Sequence, residues 1–177
     1  SSFSHEGQSL SFLSEIDYRN QDFLFRKISW WQNQIGDRLF LENFSSILDG
    51  GFESPKFFFD LRKETGAGLL FDISNAVCSS INCGAPVNDW VEEAFQTHHF
   101  HVGSYEPSVS DPSVVIDTHG SEISSETIRF LYDLRPQLCH QDTTVTYERD
   151  RNVEYDSIVR DITMIRQALV TTEEIRA

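Results

Sequence analysis

The chain has 177 residues, enough for one domain with its own core, and we expect residues 1–177 to form a single domain. Its 28 acidic residues outnumber its 14 lysines and arginines, and the net charge of −14 argues against a nucleic-acid partner. No apolar run reaches the roughly 18–20 residues of a membrane span, and three cysteines without framework spacing suit a reducing cytoplasm.

The first predicted helix covers 20–34 and is followed by a first strand over 38–42. Phe23, Ile28 and Trp31 lie on the side of this helix that we expect to be buried. The neighbouring Trp30 and Trp31 are therefore expected to pack the helix against the sheet.

A second predicted helix begins at Ser54 and Pro55, a capping hydroxyl followed by a proline in the first turn. Gly66 ends this helix, and the apolar residues after it predict a strand over 68–71. The residues 82–86 (NCGAP) are typical of a turn.

The second half of the chain repeats this order. A short helix that ends at Phe95 precedes a strand over 98–102, and a long loop with two prolines follows. A helix is predicted over 125–135, a fourth strand over 144–147 and a last helix over 155–169.

Short apolar runs separated by helix-length segments predict an α/β fold with parallel strands. Glu42 and Asp72 are 30 positions apart and Asp72 and His101 are 29 apart, the length of one strand-helix unit. A TIM-type (β/α)8 barrel has about 250 residues. Four strand-helix units therefore predict about half to two-thirds of such a barrel.

A metal-binding side chain stands at the end of each predicted strand. These side chains are Glu42, Asp72, His101 and Glu148. Because the C-terminal ends of barrel strands converge on one mouth, we expect the four to meet in space. The sequence therefore predicts a metal site there.

Asp117 and His119 form a second candidate pair in the segment before the helix at 125–135. Residues two apart in an extended segment point the same way, so both side chains can bind one ion. Carboxylate with imidazole suits iron, manganese or zinc better than magnesium or calcium. Taken alone, the pair is also compatible with an ordinary loop.

Asn75 follows Asp72 by three positions, so its amide oxygen is a further candidate ligand; the alternative is that Asp72 caps the next segment. Glu42 and Glu148 need a buried partner, either a cation or an arginine. The candidate arginines are Arg38, Arg149 and Arg151. The number of ligands suffices for more than one ion, because carboxylates can bridge two metals about 3.5–4 Å apart.

Alternation places His99 on the same face as His101, where it is expected to orient a ligand, whereas His98 is expected to lie at the surface or in packing. Cys78 and Cys83 match no zinc pattern and are expected to be small buried thiols.

Six motifs occur in the order in which they stand in the multinuclear non-haem iron-dependent oxidative enzymes, and the chain resembles that family from about His5 to Leu169. They are 41–46 (LENFSS), 71–75 (FDISN), 82–84 (NCG), 100–103 (FHVG), 116–119 (IDTH) and 147–150 (YERD). Four stretches are most similar to the methanobactin-biosynthesis branch: 3–7 (FSHEG), 15–18 (EIDY), 46–51 (SILDGG) and 82–86 (NCGAP).

The resemblance implies a bacterial, cytoplasmic enzyme with two or three irons, mixed-valent Fe(II)/Fe(III), at the barrel mouth. It implies O₂-dependent oxidation of cysteine in a ribosomally made, MbnA-like precursor peptide, giving the oxazolone and thioamide groups of the copper chelator methanobactin. It also implies a heterodimer with an MbnC-like partner protein that helps to present the peptide.

Within that resemblance, Asp72 and Glu148 are candidate catalytic carboxylates. The ligands carried over by motif are Glu42, Asp72, Asn75, His101, Asp117, His119 and Glu148. The family's other ligands, from the first half of the barrel, have no counterpart here, so we expect this chain to be the C-terminal part of a barrel. It begins with Ser1 and not Met, as expected of a fragment or trimmed chain.

Two rival interpretations stay open. A divalent-metal sugar isomerase or endonuclease-like barrel also gathers Glu, Asp and His at strand ends, but binds zinc, manganese or magnesium. A non-catalytic half-barrel that binds a peptide or partner is the second, and it does not require the seven candidate ligands.

Overall fold

A computed structural model describes the backbone of residues 2–5, 8–11 and 18–169, with side chains for 18–48 and 50–169. The quoted motifs at 3–7 and 15–18 therefore lie largely outside the described side chains. The strands are β1 Ser2–His5, β2 Gln8–Ser11, β3 Phe40–Glu42, β4 Gly68–Asp72, β5 His99–Val102, β6 Tyr105–Pro107, β7 Val115–Asp117 and β8 Thr144–Tyr147. The helices are α1 Gln21–Ile35, α2 Ser54–Thr65, α3 Ile73–Cys83, α4 Val91–Ala94, α5 Ser125–Asp133, α6 Arg135–Leu138 and α7 Tyr155–Leu169.

Four parallel strands form the central sheet in the order β3-β4-β5-β8. Phe40 pairs with Gly68, Phe71 with Phe100, and His99 with Thr144. Helices alternate with these strands along the chain, so the predicted α/β class is confirmed. β3 and β8 are the edges of this sheet, and its closure into a barrel stays a prediction.

Aromatic side chains from the two central strands and their helices form the core. Phe71 in β4 is fully buried, and its ring centroid lies 5.4 Å from Trp90, 6.0 Å from Phe100 and 6.2 Å from Phe130. β4 is buried on both faces, which explains why its sequence is a continuous apolar run without alternation. This packing fixes the two strands whose ends carry Asp72 and His101.

Helix α3 fills the segment between Asp72 and the predicted turn. No helix is predicted for its sequence, ISNAVCSSINC, in which serines and asparagines stand among the apolar residues. Most of the first two turns is buried nevertheless, because the helix crosses the sheet next to β5 and β7. Gly84, at a φ of 72°, ends the helix in a left-handed conformation, so the first two residues of the turn predicted over 82–86 belong to the helix.

Two predictions about the rest of the fold are wrong. Helix α1 has no fully buried residue; Ile28 packs partly buried against the core, but Phe23 is 48% exposed, and Trp30 and Trp31 are 52% and 47% exposed and contact each other edge to face. The long loop after β5 is partly a hairpin, in which Tyr105 pairs with Asp117 in antiparallel fashion. Pro107 is the last residue of β6 and pairs with Val115, and Pro112 lies in the connection between the two strands.

Among the three cysteines, Cys78 is buried as expected, whereas Cys83 is half-buried and Cys139 is exposed. Within the described residues, no helix combines the length and the apolar character that crossing a bilayer requires.

Candidate metal centre

The parallel register brings four of the predicted ligands to one edge of the sheet. Glu42 and Asp72 are the last residues of β3 and β4, and Asp72 is the register partner of His101 in β5. Glu148 follows the end of β8, and its N–H donates to the carbonyl of Val102 (2.9 Å). All four strands run in the same direction, so the four side chains lie at their C-terminal ends, where β/α enzymes carry their chemistry.

These four side chains form one compact group. Glu42, Asp72, His101 and Glu148 each offer an oxygen or nitrogen atom, and the four atoms lie within 4.8 Å of one another. Nδ1 of His101 is 3.0 Å from Oε1 of Glu148 and 3.5 Å from Oε1 of Glu42. Three carboxylates around one imidazole are a donor set that suits iron, manganese or zinc.

Asp117 and His119 form a second group that shares Glu148 with the first. Nε2 of His119 is 2.9 Å from Oδ1 of Asp117 and 3.5 Å from Oε2 of Glu148. The two oxygens of Glu148 thus face different histidines, Oε1 facing His101 and Oε2 facing His119. A carboxylate in this position is suited to bridge two ions about 3.5–4 Å apart.

His119 reaches the site through a turn, and not through the extended segment that the sequence predicts. Its φ of 46° is a value that non-glycine residues rarely adopt. Its N–H donates to the carbonyl of Ser104 (2.9 Å), and its carbonyl accepts from the N–H of Asp150 (2.8 Å). Gly103 packs against the ring, since a Cβ there would lie 2.4 Å from Cδ2 of His119.

Asp72 caps helix α3, so the capping interpretation is confirmed, but the cap uses only one of its oxygens. Oδ1 accepts from the N–H of Asn75 (2.8 Å), whereas Oδ2 is buried without a hydrogen-bond partner. Nδ2 of Asn75 donates to the carbonyl of Asn43 (3.0 Å), and Oδ1 of Asn75 has no hydrogen-bond partner either. One oxygen of each side chain is therefore free to bind a ligand.

Five of the seven predicted ligands have a buried polar atom without a hydrogen-bond partner in the described part of the chain. These atoms are Oδ2 of Asp72, Oδ1 of Asn75, Nδ1 of His101, Oδ1 of Asp117 and Nε2 of His119. Nδ1 of His101 lies 3.0 Å from Oε1 of Glu148, and Nε2 of His119 lies 2.9 Å from Oδ1 of Asp117. Neither contact is a hydrogen bond in the structure. Burying the oxygens of Asp72 and Asn75 without a hydrogen bond costs about 1–3 kcal/mol each. A metal ion satisfies several of the five atoms at once, so the residues present fit a metal site.

The charge of the site points to a cation as well. Burial raises the pKa of Asp72 to about 6, and Asp117 adds to the increase. Burial also raises the pKa of Asp117 to about 6, with the nearby charges of Glu148 and Glu42 contributing. The pKa of Glu42 is raised by burial and by Asp72. Four carboxylates against two histidines leave an excess of negative charge that a divalent or trivalent ion would neutralise.

The arginine alternative for the two glutamates is wrong, because each candidate arginine binds elsewhere. Arg149 pairs with Asp161 (3.3 Å), and Arg151 pairs with Glu106 (3.5 Å). Arg38 donates to the carbonyl of Ala67 (3.3 Å) and stacks on Phe40. Within the described residues, the cationic neighbours of Glu42 and Glu148 are the histidines of the site.

The remaining candidates lie outside the site. His99 shares the face of His101, as predicted, but Nδ1 of His99 faces Oγ1 of Thr144 (3.2 Å) and does not orient a ligand. His98 lies near Thr143 (3.3 Å), consistent with a packing role. Among the described residues, neither Cys78 nor Cys83 belongs to a group of metal-binding side chains.

Sequence reasoning did not predict the residues that hold the strand ends together. The side chain of Asn43 bonds to the backbone of Asp72. The hydroxyl of Ser74 donates to the carbonyl of Gly103 and accepts from its N–H, both at 2.9 Å. Asn43 and Gly103 belong to motifs quoted above, and that is the only signal in the sequence that marks them.

Carboxylates and imidazoles at the C-terminal edge of a parallel sheet are the arrangement by which β/α enzymes bind metal ions. The comparison with known families identifies the class further. The sequence model of the RiPP precursor modification enzymes MbnB/TglH/ChrH, which act on precursors of ribosomally made peptides, matches residues 2–170. The chain belongs to this family.

Three curated relatives are UPF0276 proteins, and each of them is longer than the matched region. The chain is 28% identical to the one from Caulobacter sp. (strain K31) over 148 residues, which cover 73% of this chain and 53% of the relative. It is 28% identical to the one from Rhizobium meliloti (strain 1021), covering 77% and 44%. For Psychromonas ingrahamii the identity is 29%, covering 52% and 35%. The chain spans about half the length of the curated relatives it matches.

Proposed function

We propose that the protein takes part in the iron- and O₂-dependent oxidation of cysteine in a ribosomally made precursor peptide, forming the oxazolone and thioamide groups of a methanobactin. The family, whose members modify such precursors, supports the substrate class. The observation that carries the proposal is that five of the seven predicted ligands each bury an atom without a hydrogen-bond partner in the described chain. Their N and O donors are those of non-haem iron sites.

In this proposal the site would hold two or three iron ions, and Glu148 would contribute an oxygen to each of the first two. Glu42, Asp72 and His101 serve the first ion, and Asp117 and His119 the second. Asn75 flanks the first ion through its amide oxygen. Two distances support this division of the ligands. Oε1 of Glu148 is 3.0 Å from Nδ1 of His101, and Oε2 of Glu148 is 3.5 Å from Nε2 of His119.

When bound, mixed-valent iron supplies a position for the substrate thiolate and the means to reduce O₂, which accepts the hydrogen that the peptide loses. The chain supplies the rest. The family resemblance assigns Asp72 and Glu148 to catalysis. Each of them turns a carboxylate oxygen towards the cluster of Glu42, Asp72, His101 and Glu148. The side chain of Glu148 is also 27% exposed, so a peptide can reach it from solvent, whereas Asp72 is fully buried.

We place the sheet in a TIM-type (β/α)8 barrel whose other strands lie outside this chain. Both flanking helices support this, since they expose apolar side chains that a neighbouring unit would cover. Trp30 and Ile35 of α1 are 52% and 57% exposed, and Tyr155 of α7 is 78% exposed. Phe57 and Phe58 of the central helix α2 are buried by contrast. An MbnC-like partner in a heterodimer, as implied by the resemblance, is a further part of the proposal.

The test uses the full-length protein, co-expressed with its partner and purified without oxygen. We expect two or more irons per chain and a mass loss in the precursor peptide when O₂ is admitted. Glu42→Ala should lower the iron content and abolish the mass change. Glu122→Ala, which removes a surface carboxylate paired with Arg160, is the matched control.

The same experiment separates the rival functions. Zinc or manganese in place of iron, with an unmodified peptide, would favour the isomerase or endonuclease-like interpretation. Peptide binding without metal and without a mass change would favour a non-catalytic binding module. Full activity and normal iron in Glu42→Ala would contradict the assignment of Glu42.

A further inference from the structure

Asn43 is buried next to the candidate metal centre without belonging to its predicted ligands, and it is only 1% exposed. Its side chain makes two hydrogen bonds to the backbone of Asp72. Nδ2 donates to the carbonyl of Asp72 (2.8 Å), and Oδ1 accepts from its N–H (2.7 Å). The amide therefore acts as one more rung of the β3–β4 ladder, beyond the last backbone pair of Glu42 with Leu70.

The backbone of Asn43 acts on a second ligand. Its carbonyl accepts from Nδ2 of Asn75 (3.0 Å). A carbonyl oxygen only accepts hydrogen bonds, so the nitrogen of the Asn75 amide must face it. The oxygen of that amide is then turned the other way, where it is buried without a partner.

The contacts of Asn43 thus decide which atoms the site receives. Asn43 holds the backbone of Asp72. In that position Oδ1 of Asp72 accepts from the N–H of Asn75, and Oδ2 of Asp72 is left without a hydrogen bond among the described residues. With Nδ2 of Asn75 held as well, Oδ1 of Asn75 is left unsatisfied too. Three hydrogen bonds from one residue orient two of the five unsatisfied atoms.

We infer that Asn43 is a positioning residue that selects the oxygen atoms of Asp72 and Asn75 for metal binding. The inference rests on the proposed function, because it assumes that the site binds a metal. Outer contacts of this kind hold ligands in the orientation that a metal requires, and losing one typically weakens metal affinity by about 10–100-fold.

The experiment titrates the full-length, metal-free protein with Co(II) and follows the visible absorption of the bound ion. Asn43→Ala removes both side-chain bonds to Asp72. Asn43→Asp keeps the acceptor for the Asp72 N–H but replaces the donor to its carbonyl by an oxygen. Gln137→Ala is the control, because Gln137 is a buried amide that donates to the carbonyl of Thr97 (2.6 Å), ahead of β5 at the other end of the sheet.

We expect Asn43→Ala to bind Co(II) about 10–100-fold more weakly than the wild type, with a changed absorption spectrum. Gln137→Ala should keep the wild-type affinity and spectrum even where it lowers the melting temperature as much. If Asn43→Ala does not fold, the Co(II) affinity and the absorption spectrum of Asn43→Asp test the inference instead.

Three different results overturn the inference. If the wild type binds Co(II) and the Asn43 variants match it in affinity and spectrum, the side chain of Asn43 does not position Asp72, while the proposed function stands. The same holds if Gln137→Ala loses affinity to the same extent, because the loss then follows general destabilisation. If the wild type itself binds no Co(II), the metal site of the proposed function fails, and the inference fails with it.

Discussion

The two ends of the parallel sheet carry polar residues that behave in opposite ways. At the N-terminal ends of the strands, Thr97 donates to the carbonyl of Leu69, and Gln137 donates to the carbonyl of Thr97 (2.6 Å). Thr143 in turn donates to the carbonyl of Gln137 (3.0 Å). At the C-terminal ends, five buried polar atoms of the site have no such partner in the described chain.

This difference separates polar residues that stabilise the fold from polar residues that await a ligand. The N-terminal end buries groups that satisfy one another, so each contributes to stability. The C-terminal end gathers carboxylates whose pKa values burial raises, to about 6 for Asp72 and Asp117. Stability and binding are therefore expected to respond to different mutations at the two ends.

The largest effect is expected from Glu148→Ala, because Glu148 contacts both His101 and His119. Bound iron should fall by at least one ion per chain, and peptide oxidation should be lost. The melting temperature of the metal-free protein should not fall, because the substitution removes one of several neighbouring carboxylates. Iron analysis and thermal denaturation of the full-length protein measure both. Unchanged iron content would refute the bridging role.

Gly103→Ala should have the next largest effect, because its Cβ would lie 2.4 Å from the ring of His119. The ring must move, so we expect metal affinity to fall by about 10–100-fold and stability by about 1–3 kcal/mol. Gly50→Ala is the matched control, since a Cβ at Gly50 meets no atom within 4 Å. Equal affinities for the two alanine variants in a Co(II) titration would show that Gly103 does not support His119.

Gln137→Ala tests the opposite end of the sheet. It leaves the carbonyl of Thr97 without its donor and should cost about 1–3 kcal/mol of stability. Metal content should equal that of the wild type. Urea denaturation and iron analysis together check the prediction, and a loss of iron in this variant would erase the distinction between the two ends.

The smallest effect is a pH dependence of the metal-free protein. The pKa of Asp117 is raised from 3.8 to about 6, so the folded state keeps a proton that the unfolded state has already lost. Stability should therefore fall as the pH rises from about 4 to 6 and stay lower above that range. Asp117→Asn should reduce the fall. Thermal denaturation at several pH values compares the two proteins, and identical profiles would contradict the raised pKa.

The sequence predicted the parts of the molecule that follow from strand alternation and chain direction. The α/β order and the meeting of Glu42, Asp72, His101 and Glu148 both follow from parallel strands with their C-terminal ends together. Helix α2 begins at Ser54 with Pro55 in its first turn, as predicted, but the predicted capping is wrong, because Glu53 is the N-cap residue and the hydroxyl of Ser54 makes no hydrogen bond in the described chain. These features depend on local patterns that tertiary packing did not override.

The rest depends on contacts between distant segments. The proximity of Asp117 and His119 was predicted for the wrong reason, because it results from a turn that Ser104 and Asp150 hold. The role of Asn43 was not predictable, because it depends on Asp72 and Asn75, about 30 residues away. Trp30 and Trp31 were predicted to be buried, and their exposure follows from the absence of a covering element among the described residues.

The most direct test of the account is a crystal structure of the full-length, iron-loaded protein with anomalous scattering measured at the iron edge. The account predicts one peak among Glu42, Asp72 and His101 and another next to Asp117 and His119, with Glu148 between them. Peaks elsewhere, or an iron-free C-terminal edge with these atoms still unsatisfied, would contradict it.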